Sequence, residues 1–330
     1  MKILLHLFTL LLLSPFLFYH AEAQQLTLYS GRSKALVEPM IQKFQQETGI
    51  RVNVRYGGTT QLAVAIMEEG RRSPADLFWA QDAGALGAVH QADLLAALPT
   101  DIKVEIPTQF QNTDGTWIAT SGRARVFAYH TRRIGDSPLP ESVFDLTKPE
   151  WRGRIGWAPA NASFQSFITA MREIEGEDRT RQWLMDMREN GARAYNNNSS
   201  ILQAIAAGEI SGGLTNHYYL SRLKENQPNT PVSQTFFKEG DSGNLVNVAG
   251  LAILKSSRNS ENALKFIEFM LSQESQLHFL NEVYEYPAIT GLGDQDAELE
   301  SVLKLTPDLN LDLLRDLEKT LSLLREVGLL

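Results

Sequence analysis

Apolar and polar positions in the first part of the mature chain follow alternating strand and helix periods. The stretch "QLTLYSG" at 25–31 predicts a strand, and the apolar residues of 34–48 recur at helical spacing up to Gly49, where a glycine commonly follows a helix. The alternation at 50–56 predicts a second strand, a second helix follows it, and "ADLFWA" at 75–80 predicts a third strand. Strand, helix, strand, helix and strand within about 55 residues indicate a parallel α/β sheet.

Strand and helix patterns alternate again in the second half of the chain. The strand-like stretches are "GRIGWAP", "ARAYN", "ISGGLTN" and "GNLVNVAGLAIL", and the helical ones are "SFQSFITAMREI", "SSILQAIAAG", "SENALKFIEFMLS" and the closing "LDLLRDLEKTLSLLREVGLL". No repeat, low-complexity tract or long linker separates the two halves. A chain that crosses between lobes more than once would explain this, so we predict two α/β lobes with a cleft between them.

The first 23 residues have the pattern of a secretory signal. Lys2 supplies a thin positive region, the stretch 3–19 is apolar, and "AEA" at 21–23 fits a small-x-small cleavage pattern. A membrane-spanning anchor is the alternative reading. The apolar stretch is short, contains a proline and is not followed by a basic stop-transfer cluster, which disfavours an anchor. We expect cleavage after Ala23, a mature chain that begins near Gln24 and is secreted or periplasmic, and no stable membrane insertion.

Composition excludes several classes of function. The 330-residue chain has a formal net charge of -8, which disfavours nucleic acid as the main partner but permits a small anion in a local basic pocket. It contains no cysteine, so disulfides, zinc–thiolate sites, iron–sulfur clusters and cysteine nucleophiles are excluded. The length predicts about two domains, and the composition is that of an ordinary globular protein.

Ligands of open α/β sheets bind beyond the carboxyl ends of the strands. The predicted strand-end loops are rich in Ser, Asn, Gln, Arg and Tyr and poor in Asp, Glu and His, which disfavours acid–base chemistry. These loops are "YSGRSK" (29–34), "YGGTTQ" (56–61), "WAQDAG" (79–84), "SGRAR" (121–125), "APANASFQ" (158–165), "YNNNSS" (195–200) and "TNHYY" (215–219). The chain lacks a P-loop, an H-E-x-x-H motif and a G-x-S-x-G elbow. "GDSG" at 240–243 echoes a serine-protease stretch, but we interpret it as a polar loop.

Two adjacent tyrosines, Tyr218 and Tyr219, follow the predicted strand "ISGGLTN" and precede a predicted helix. A phenol has a pKa near 10, so it becomes a ligand only for a strongly polarising ion, and its hard oxygen suits Fe³⁺. The positive end of the helix dipole would ease formation of the phenolates. The turn from strand to helix could let both oxygens face one point. Packed aromatic rings are the alternative reading of the pair.

Six stretches of the mature chain, taken together, are more specific than any one of them: "LTLYSGRSKALVEPMIQKFQQETGI", "SPADLFWAQDAGALG", "SGRARVFAYHT", "NASFQSFITAMR", "YNNNSSILQAIAAGEISGGLTNHYYL" and "LSLLREVGLL". With them the chain resembles the periplasmic ferric-iron-binding proteins of bacterial ABC importers. The resemblance implies a non-enzymatic type II periplasmic binding protein, with mixed sheets flanked by helices, a hinge and an interlobe cleft. It places the first lobe at 24–105, 111–124 and 249–299, and the second at 106–110, 125–248 and 300–330.

The resemblance implies that Tyr218 and Tyr219 bind Fe³⁺ and that a synergistic anion, carbonate, phosphate or citrate, completes the shell. The sequence departs from the family pattern at three places. Ser33 stands where many members have a histidine, Ala80 where several have a glutamate, and Phe164 where another branch has a third tyrosine. We therefore expect exogenous oxygen donors to contribute more. Further phenolate candidates are Tyr195 and Tyr129, and with less support Tyr29 and Tyr56, with packing as the alternative for each.

Residues that could hold the anion lie in the same loops. Two phenolates and Fe³⁺ leave a net charge of about +1, so an anion is favoured electrostatically. "NASF" opens a predicted helix whose free N–H groups suit an oxyanion, and a guanidinium can bind one with two hydrogen bonds. The resemblance implies that Gln81, Asn198 and Asn216 contact the anion, and the further predicted anion-binding residues are Arg32, Ser33, Arg123, Arg125 and Ser163. A solvated surface position is the alternative for each arginine.

The first hypothesis is thus a monomeric periplasmic receptor that captures ferric iron and passes it to an ABC permease and its ATPase. The second is a binding protein for a metal-free anion or a polyamine. The third is a secreted hydrolase, for which the strand-end loops offer only Asp82 and little else. Absorbance during a ferric titration separates the first two, and assays with generic ester and glycoside substrates test the third.

Overall fold

A computed structural model describes residues 25–100, 102, 104–134 and 138–330, without the side chains of 294–296. The predicted signal segment, residues 1–23, lies outside the described residues. In the described part of the chain, no helix has the length and apolar character needed to cross a bilayer.

Within the described residues, ten strands form one mixed sheet in the order β2-β1-β3-β9-β4-β7-β5-β6, and β8 and β10 also pair with β4. The β1–β2, β1–β3, β5–β6 and β5–β7 pairs are parallel, as the alternating patterns predicted. The strands are β1 Gln25–Ser30, β2 Arg51–Tyr56, β3 Leu77–Ala80, β4 Ile118–His130, β5 Ile155–Trp157, β6 Arg193–Ala194, β7 Gly212–Asn216, β8 Val232–Thr235, β9 Val246–Ile253 and β10 Tyr286–Pro287.

Helices cover the faces of this sheet. The α-helices are α1 Lys34–Thr48, α2 Thr59–Glu69, α3 Ala83–Gln91, α4 Thr131–Ile134, α5 Ala162–Glu175, α6 Glu177–Glu189, α7 Asn198–Ala206, α8 Tyr218–Asn226, α9 Ser260–Met270, α10 Gln273–Asn281, α11 Asp294–Leu303 and α12 Leu317–Glu326. Short 3₁₀ helices occupy Gly70–Arg72, Thr108–Phe110, Val143–Thr147, Pro149–Trp151, Ser242–Asn244 and Leu311–Arg315. Gly49 ends α1 with a φ of 72° and donates its N–H to Gln45 O, as its position in the sequence predicted.

Strand β4 joins two sections of the sheet. Its first part pairs with β9 up to the Ala124–Val246 partners, and its second part pairs with β7 from the Arg125–Asn216 partners onward. The first section therefore contains β1, β2, β3, β9 and β10, and the second contains β5, β6, β7 and β8. This exchange of partners supports the predicted lobe boundary between residues 124 and 125, which stays a prediction.

The predicted loop at 121–125 is wrong, because these residues lie inside β4. The strand is buried at nearly every position and includes the two buried guanidinium side chains of Arg123 and Arg125. Charged residues in a buried strand do not give the period of two that identifies a strand in a sequence. The consequence for the site is that both arginines project from the rigid strand shared by the two sections.

Three apolar clusters support the sheet. One packs α1 and α9 against the first section, around Phe44, Trp79 and Phe266. A second packs α7 and α8 against the second section, around Ile201 and Leu223. The largest cluster extends through both sections, so the sections share a continuous packed layer.

Helix α3 approaches the C-terminal segment closely. A Cβ at Gly87 would stand 2.5 Å from Arg315 Cβ, and one at Gly84 would stand 2.8 Å from Leu314 O. Only glycine fits at these two positions without displacement of the neighbouring chain. The contact fixes the start of α3, and with it the loop that carries Gln81 and Asp82.

Candidate functional site

The two tyrosines lie together at the start of α8. The centroids of the Tyr218 and Tyr219 rings are 4.3 Å apart, with 28° between the ring planes. Tyr218 is 1% exposed and Tyr219 is half-buried. The pair stands where β7 ends and α8 begins, so the change from strand to helix brings both rings to one side. That both phenol oxygens face one ion stays a prediction.

The residue before the pair is fixed by backbone contacts with β4. The N–H of His217 donates to Ala124 O at 3.0 Å, and the N–H of Ala124 donates to His217 Nδ1 at 3.1 Å. The His217 ring also stacks on Tyr286, with centroids 4.4 Å apart. Burial lowers the pKa of His217 to about 4, so this imidazole is neutral at neutral pH. The pair is therefore anchored at the point where β4 changes partners.

Burial governs the ionisation of Tyr218. It raises the pKa of this phenol well above its usual value near 10, and the neighbouring Tyr219 adds to the effect. The positive charges of Arg123 and Arg32 act in the opposite direction but do not outweigh burial. The Tyr218 phenol is therefore protonated at neutral pH and is harder to ionise than an exposed phenol.

Three donors converge on the hydroxyl of Ser163. Gln81 Nε2 and Arg123 Nη1 each lie 3.2 Å from Ser163 Oγ, and Asn216 Nδ2 lies 3.3 Å from it. A hydroxyl oxygen offers two lone pairs, so one acceptor serves three donors at once. A larger group with several oxygens would satisfy these donors better. The structure thus brings together four of the predicted anion-binding residues.

Two buried guanidinium groups lie beside these donors. Arg123 and Arg125 are each 2% exposed, and Nε and Nη2 of both have no hydrogen-bond partner. Arg125 donates through Nη1 to Asn216 Oδ1 at 3.4 Å and lies over the rings of Phe164 and Phe167. Burial, then the charge of Arg123, lowers the pKa of Arg125 to about 9. Unpaired buried charge is costly, so the arrangement suits an anion.

Arg32 has a different environment from the other two arginines. Its Nη2 lies 2.7 Å from both carboxylate oxygens of Glu285, and Ser121 donates a further hydrogen bond to that carboxylate. Arg32 also lies within electrostatic reach of Tyr218 and Tyr219. Burial opposes its charge, but the Glu285 carboxylate more than compensates, and the pKa of Arg32 is raised. Glu285 thus neutralises Arg32 beside the tyrosine pair.

The remaining predicted anion-binding residues are placed less directly. Ser33 is exposed and makes no side-chain cap on α1, and nothing places it with the donors around Ser163. Asn198 is buried at the start of α7, and its Nδ2 has no partner. At the start of α5, Asn161 Oδ1 already accepts the N–H of Ser163, so that backbone donor is not free for an anion.

The other tyrosines lie apart from the pair. Tyr129 pairs with Gly212 at the far end of β7 and stacks on Phe127, so the structure does not bring it to Tyr218. The charged neighbours of the Tyr195 phenol are Arg193 and Glu209. The hydroxyl of Tyr29 donates a hydrogen bond to Glu69, and that of Tyr56 donates one to Glu38, so both phenols are already bound to carboxylates. A third phenolate ligand therefore stays a prediction without support from these contacts.

The site lies where the two sections meet. Side chains of α2 and of the loop after β3, in the first section, bond to the first turns of α5 in the second. The three bonds are Thr60 Oγ1 to Gln165 Oε1 at 2.7 Å, Gln81 Nε2 to Ser163 Oγ at 3.2 Å, and Ser166 Oγ to Asp82 Oδ1 at 2.8 Å. Polar groups from both sections, several of them predicted anion-binding residues, are thus held in one layer.

Sequence reasoning missed two participants, Glu285 and Tyr286. They lie far along the chain from the residues they contact, and no motif surrounds them. In the part of the chain that the structure describes, no group of three or more His, Asp or Glu side chains could hold a metal ion. The "GDSG" stretch forms a loop in which Asp241 accepts the N–H of Gly243, as expected of a structural turn.

Comparison with known proteins places this geometry in context. A family model described as bacterial extracellular solute-binding protein matches residues 72–312. The major ferric iron-binding protein of Neisseria meningitidis serogroup B is 34% identical over 313 residues, which cover 92% of this chain and 93% of that protein.

Solved structures show the same architecture. Iron-bound HitA from Pseudomonas aeruginosa matches with a TM-score of 0.85 and 35% identity, over 92% of this chain and 99% of that one. A Trichodesmium protein, IdiA or FutA, in complex with iron and citrate ligands matches with a TM-score of 0.76 and 30% identity, over 93% of this chain and all of that one.

Proposed function

The chain belongs to the bacterial extracellular solute-binding proteins, and from this premise we propose that it captures ferric iron in the periplasm for an ABC importer. The ion is cargo, so the protein binds and releases it without breaking a bond in a substrate. Hinge motion between the two lobes would enclose the ion after it binds.

The observation that carries the proposal is the stacked Tyr218–Tyr219 pair beside buried cationic groups. Phenolate oxygen is a hard donor, and the raised pKa of Tyr218 means that only a strongly polarising ion can keep it ionised at neutral pH. Fe³⁺ meets this requirement, whereas Zn²⁺ and Cu²⁺ favour imidazole or thiolate ligands. The Neisseria relative is a ferric iron-binding protein and the Pseudomonas structure is iron-bound, which supports the same ion.

The charge of the site supports a polyanionic synergistic ligand. Fe³⁺ with two phenolates retains about one positive charge, and Arg123 and Arg125 add two more. Arg32 is neutralised by Glu285, and Asp82, within electrostatic reach of Arg123, can offset at most one charge. An anion with at least two charges and several oxygens fits this excess. Carbonate, phosphate and citrate all qualify, and the iron and citrate ligands of the Trichodesmium relative favour citrate.

Absorbance spectroscopy tests the ferric assignment. Metal-free protein titrated with ferric citrate should develop a visible tyrosinate-to-iron band, and Tyr218→Phe or Tyr219→Phe should strongly reduce both the band and the affinity. Tyr129→Phe, at the far end of β7, serves as the matched control and should retain both. Full colour and affinity in either pair variant would show that the two-tyrosine site is wrong.

The same titration distinguishes ferric-iron binding from the alternative of a metal-free anion or polyamine receptor. The unpaired nitrogens of Arg123 and Arg125 suit an anion and disfavour a polyamine, because two buried cations would repel it. Binding of phosphate or citrate without any ferric band would identify a metal-free anion receptor.

Export and delivery complete the proposal. We propose that the signal segment is cleaved after Ala23 and that an ABC permease and its ATPase receive the iron. N-terminal sequencing of the exported protein tests the cleavage site, and an uncut N-terminus would refute it.

A further inference from the structure

Residues 284–286, which we call the strap, contact the tyrosine-bearing helix at both of its ends. Tyr284 Oη donates to a carboxylate oxygen of Glu225, in the last turn of α8, at 2.6 Å. Tyr286 stacks on His217, which immediately precedes α8, at 4.4 Å between ring centroids. Helix α8 has nine residues and a length of about 13 Å, so the strap spans most of the helix.

The strap belongs to the other section of the sheet. Tyr286 and Pro287 form β10, which pairs with Ser121 and Gly122 in the first part of β4. Helix α8 follows β7, which pairs with the second part of β4. The contacts of Tyr284 and Tyr286 therefore connect the two sections directly at the candidate iron site.

The middle residue anchors the strap on its own section. Glu285 is fully buried, pairs with Arg32 in the loop after β1, and accepts a hydrogen bond from Ser121 on β4. A buried ion pair that loses one partner leaves an uncompensated charge, so this anchor resists displacement. The strap is thus rigid at Glu285, with a tyrosine on each side that reaches towards α8.

The backbone at Tyr284 is strained. Its φ is 63°, a left-handed value that is uncommon for residues other than glycine and asparagine. Such a conformation persists only where surrounding contacts impose it, and it often occurs at clamps and switches. Here the Glu225 hydrogen bond holds the Tyr284 ring in the direction that this backbone sets.

We propose that the strap is a latch, in which Tyr284 and Glu225 act as positioning residues that slow the release of iron by holding α8 against the first section. The inference rests on the ferric function proposed above. Neither residue contacts the candidate ligand oxygens, since Glu225 lies at the opposite end of α8 from Tyr218. The latch therefore affects how long the lobes stay together and leaves the coordination of the ion unchanged.

Chelator competition tests the latch. Protein loaded with ferric citrate is mixed with excess chelator, and the decay of the tyrosinate band gives the dissociation rate. Tyr284→Phe and Glu225→Ala should each accelerate decay about threefold to fivefold, as loss of an exposed hydrogen bond to a charged acceptor would. The position and intensity of the band before mixing should not change, a result that distinguishes positioning from ligation.

The double variant and a charge control make the test specific. Tyr284→Phe with Glu225→Ala should release iron no faster than either single variant, because both remove the same bond. Glu268→Ala, which removes an exposed charge from α9, should release iron at the unmodified rate. Rates within twofold of the unmodified protein, or additive effects in the double variant, would overturn the latch. Absence of the band from the unmodified protein would instead overturn the ferric function on which the latch rests.

Discussion

Replacement of Arg125 by methionine should stabilise the metal-free protein, although it removes a buried side chain. Burial lowers the pKa of Arg125 from its ordinary, much higher value to about 9. Each tenfold change in proton affinity corresponds to about 1.4 kcal/mol, so the charge costs the folded protein about 5 kcal/mol. Because the folded pKa is the lower one, this cost is fully present below about pH 9 and disappears only as the pH rises through the range in which an ordinary guanidinium loses its proton.

The net gain is smaller than the full electrostatic cost. Methionine keeps most of the contact with the Phe164 and Phe167 rings, but the cation–π attraction of about 1–2 kcal/mol is lost. The variant also loses the hydrogen bond to Asn216 Oδ1, which contributes about 1 kcal/mol. We therefore expect Arg125→Met to raise the unfolding free energy of the metal-free protein by about 2–3 kcal/mol, or the melting temperature by about 5 °C.

Differential scanning calorimetry of protein dialysed free of metal and anions measures this change. Addition of citrate or phosphate should reverse the order of stability, because bound anion stabilises the native state and Arg125→Met weakens its binding. The unmodified protein should gain more stability from the anion than the variant does. Equal gains in the two proteins would show that Arg125 does not act on the anion.

Arg172→Met is the matched control. Arg172 is also buried, but it bonds to Glu177, Asp316 and Thr320, so its charge is compensated within the protein. Its removal should lower the unfolding free energy by about 2 kcal/mol or more. A loss of stability in both variants would refute the conclusion that Arg125 carries an uncompensated charge.

Two further predictions test the surroundings of the site. Burial lowers the pKa of His217 to about 4, so the stability that its neutral ring supplies is present above pH 6.5 and lost as the pH falls towards 4. In urea titrations, the unfolding free energy of the unmodified protein should change by about 3 kcal/mol across that pH interval, and this change should be absent from His217→Gln. An unchanged pH profile in the variant would contradict the assignment. Gly87→Val should lower the unfolding free energy by about 2–3 kcal/mol, since its Cβ would stand 2.5 Å from Arg315 Cβ, and a neutral effect in thermal unfolding would show that the C-terminal segment moves freely.

Elements with local signals could be predicted from the sequence, and elements without them could not. The period of α1 and the glycine that ends it, Gly49, are local features, and both appear as expected. The stretch 121–125 in β4 resembled a polar loop because arginine rarely enters a buried strand. The strand forms there because β7 and β9 pair with it on either side, and those partners are remote in sequence.

The same limit applies to the candidate site. The sequence shows which residue types are present, but it does not show which partners they contact. Chemistry alone identifies Tyr218, Tyr219 and the arginines as groups that can bind iron and an anion. It cannot tell which arginine brings net charge, because Arg32 and its partner Glu285 are 253 positions apart. Among the described residues, the fold pairs Arg32 with a carboxylate and gives Arg123 and Arg125 no salt-bridge partner. The charge required of the bound anion therefore depends on one long-range ion pair, and the sequence carries no local signal of that pair.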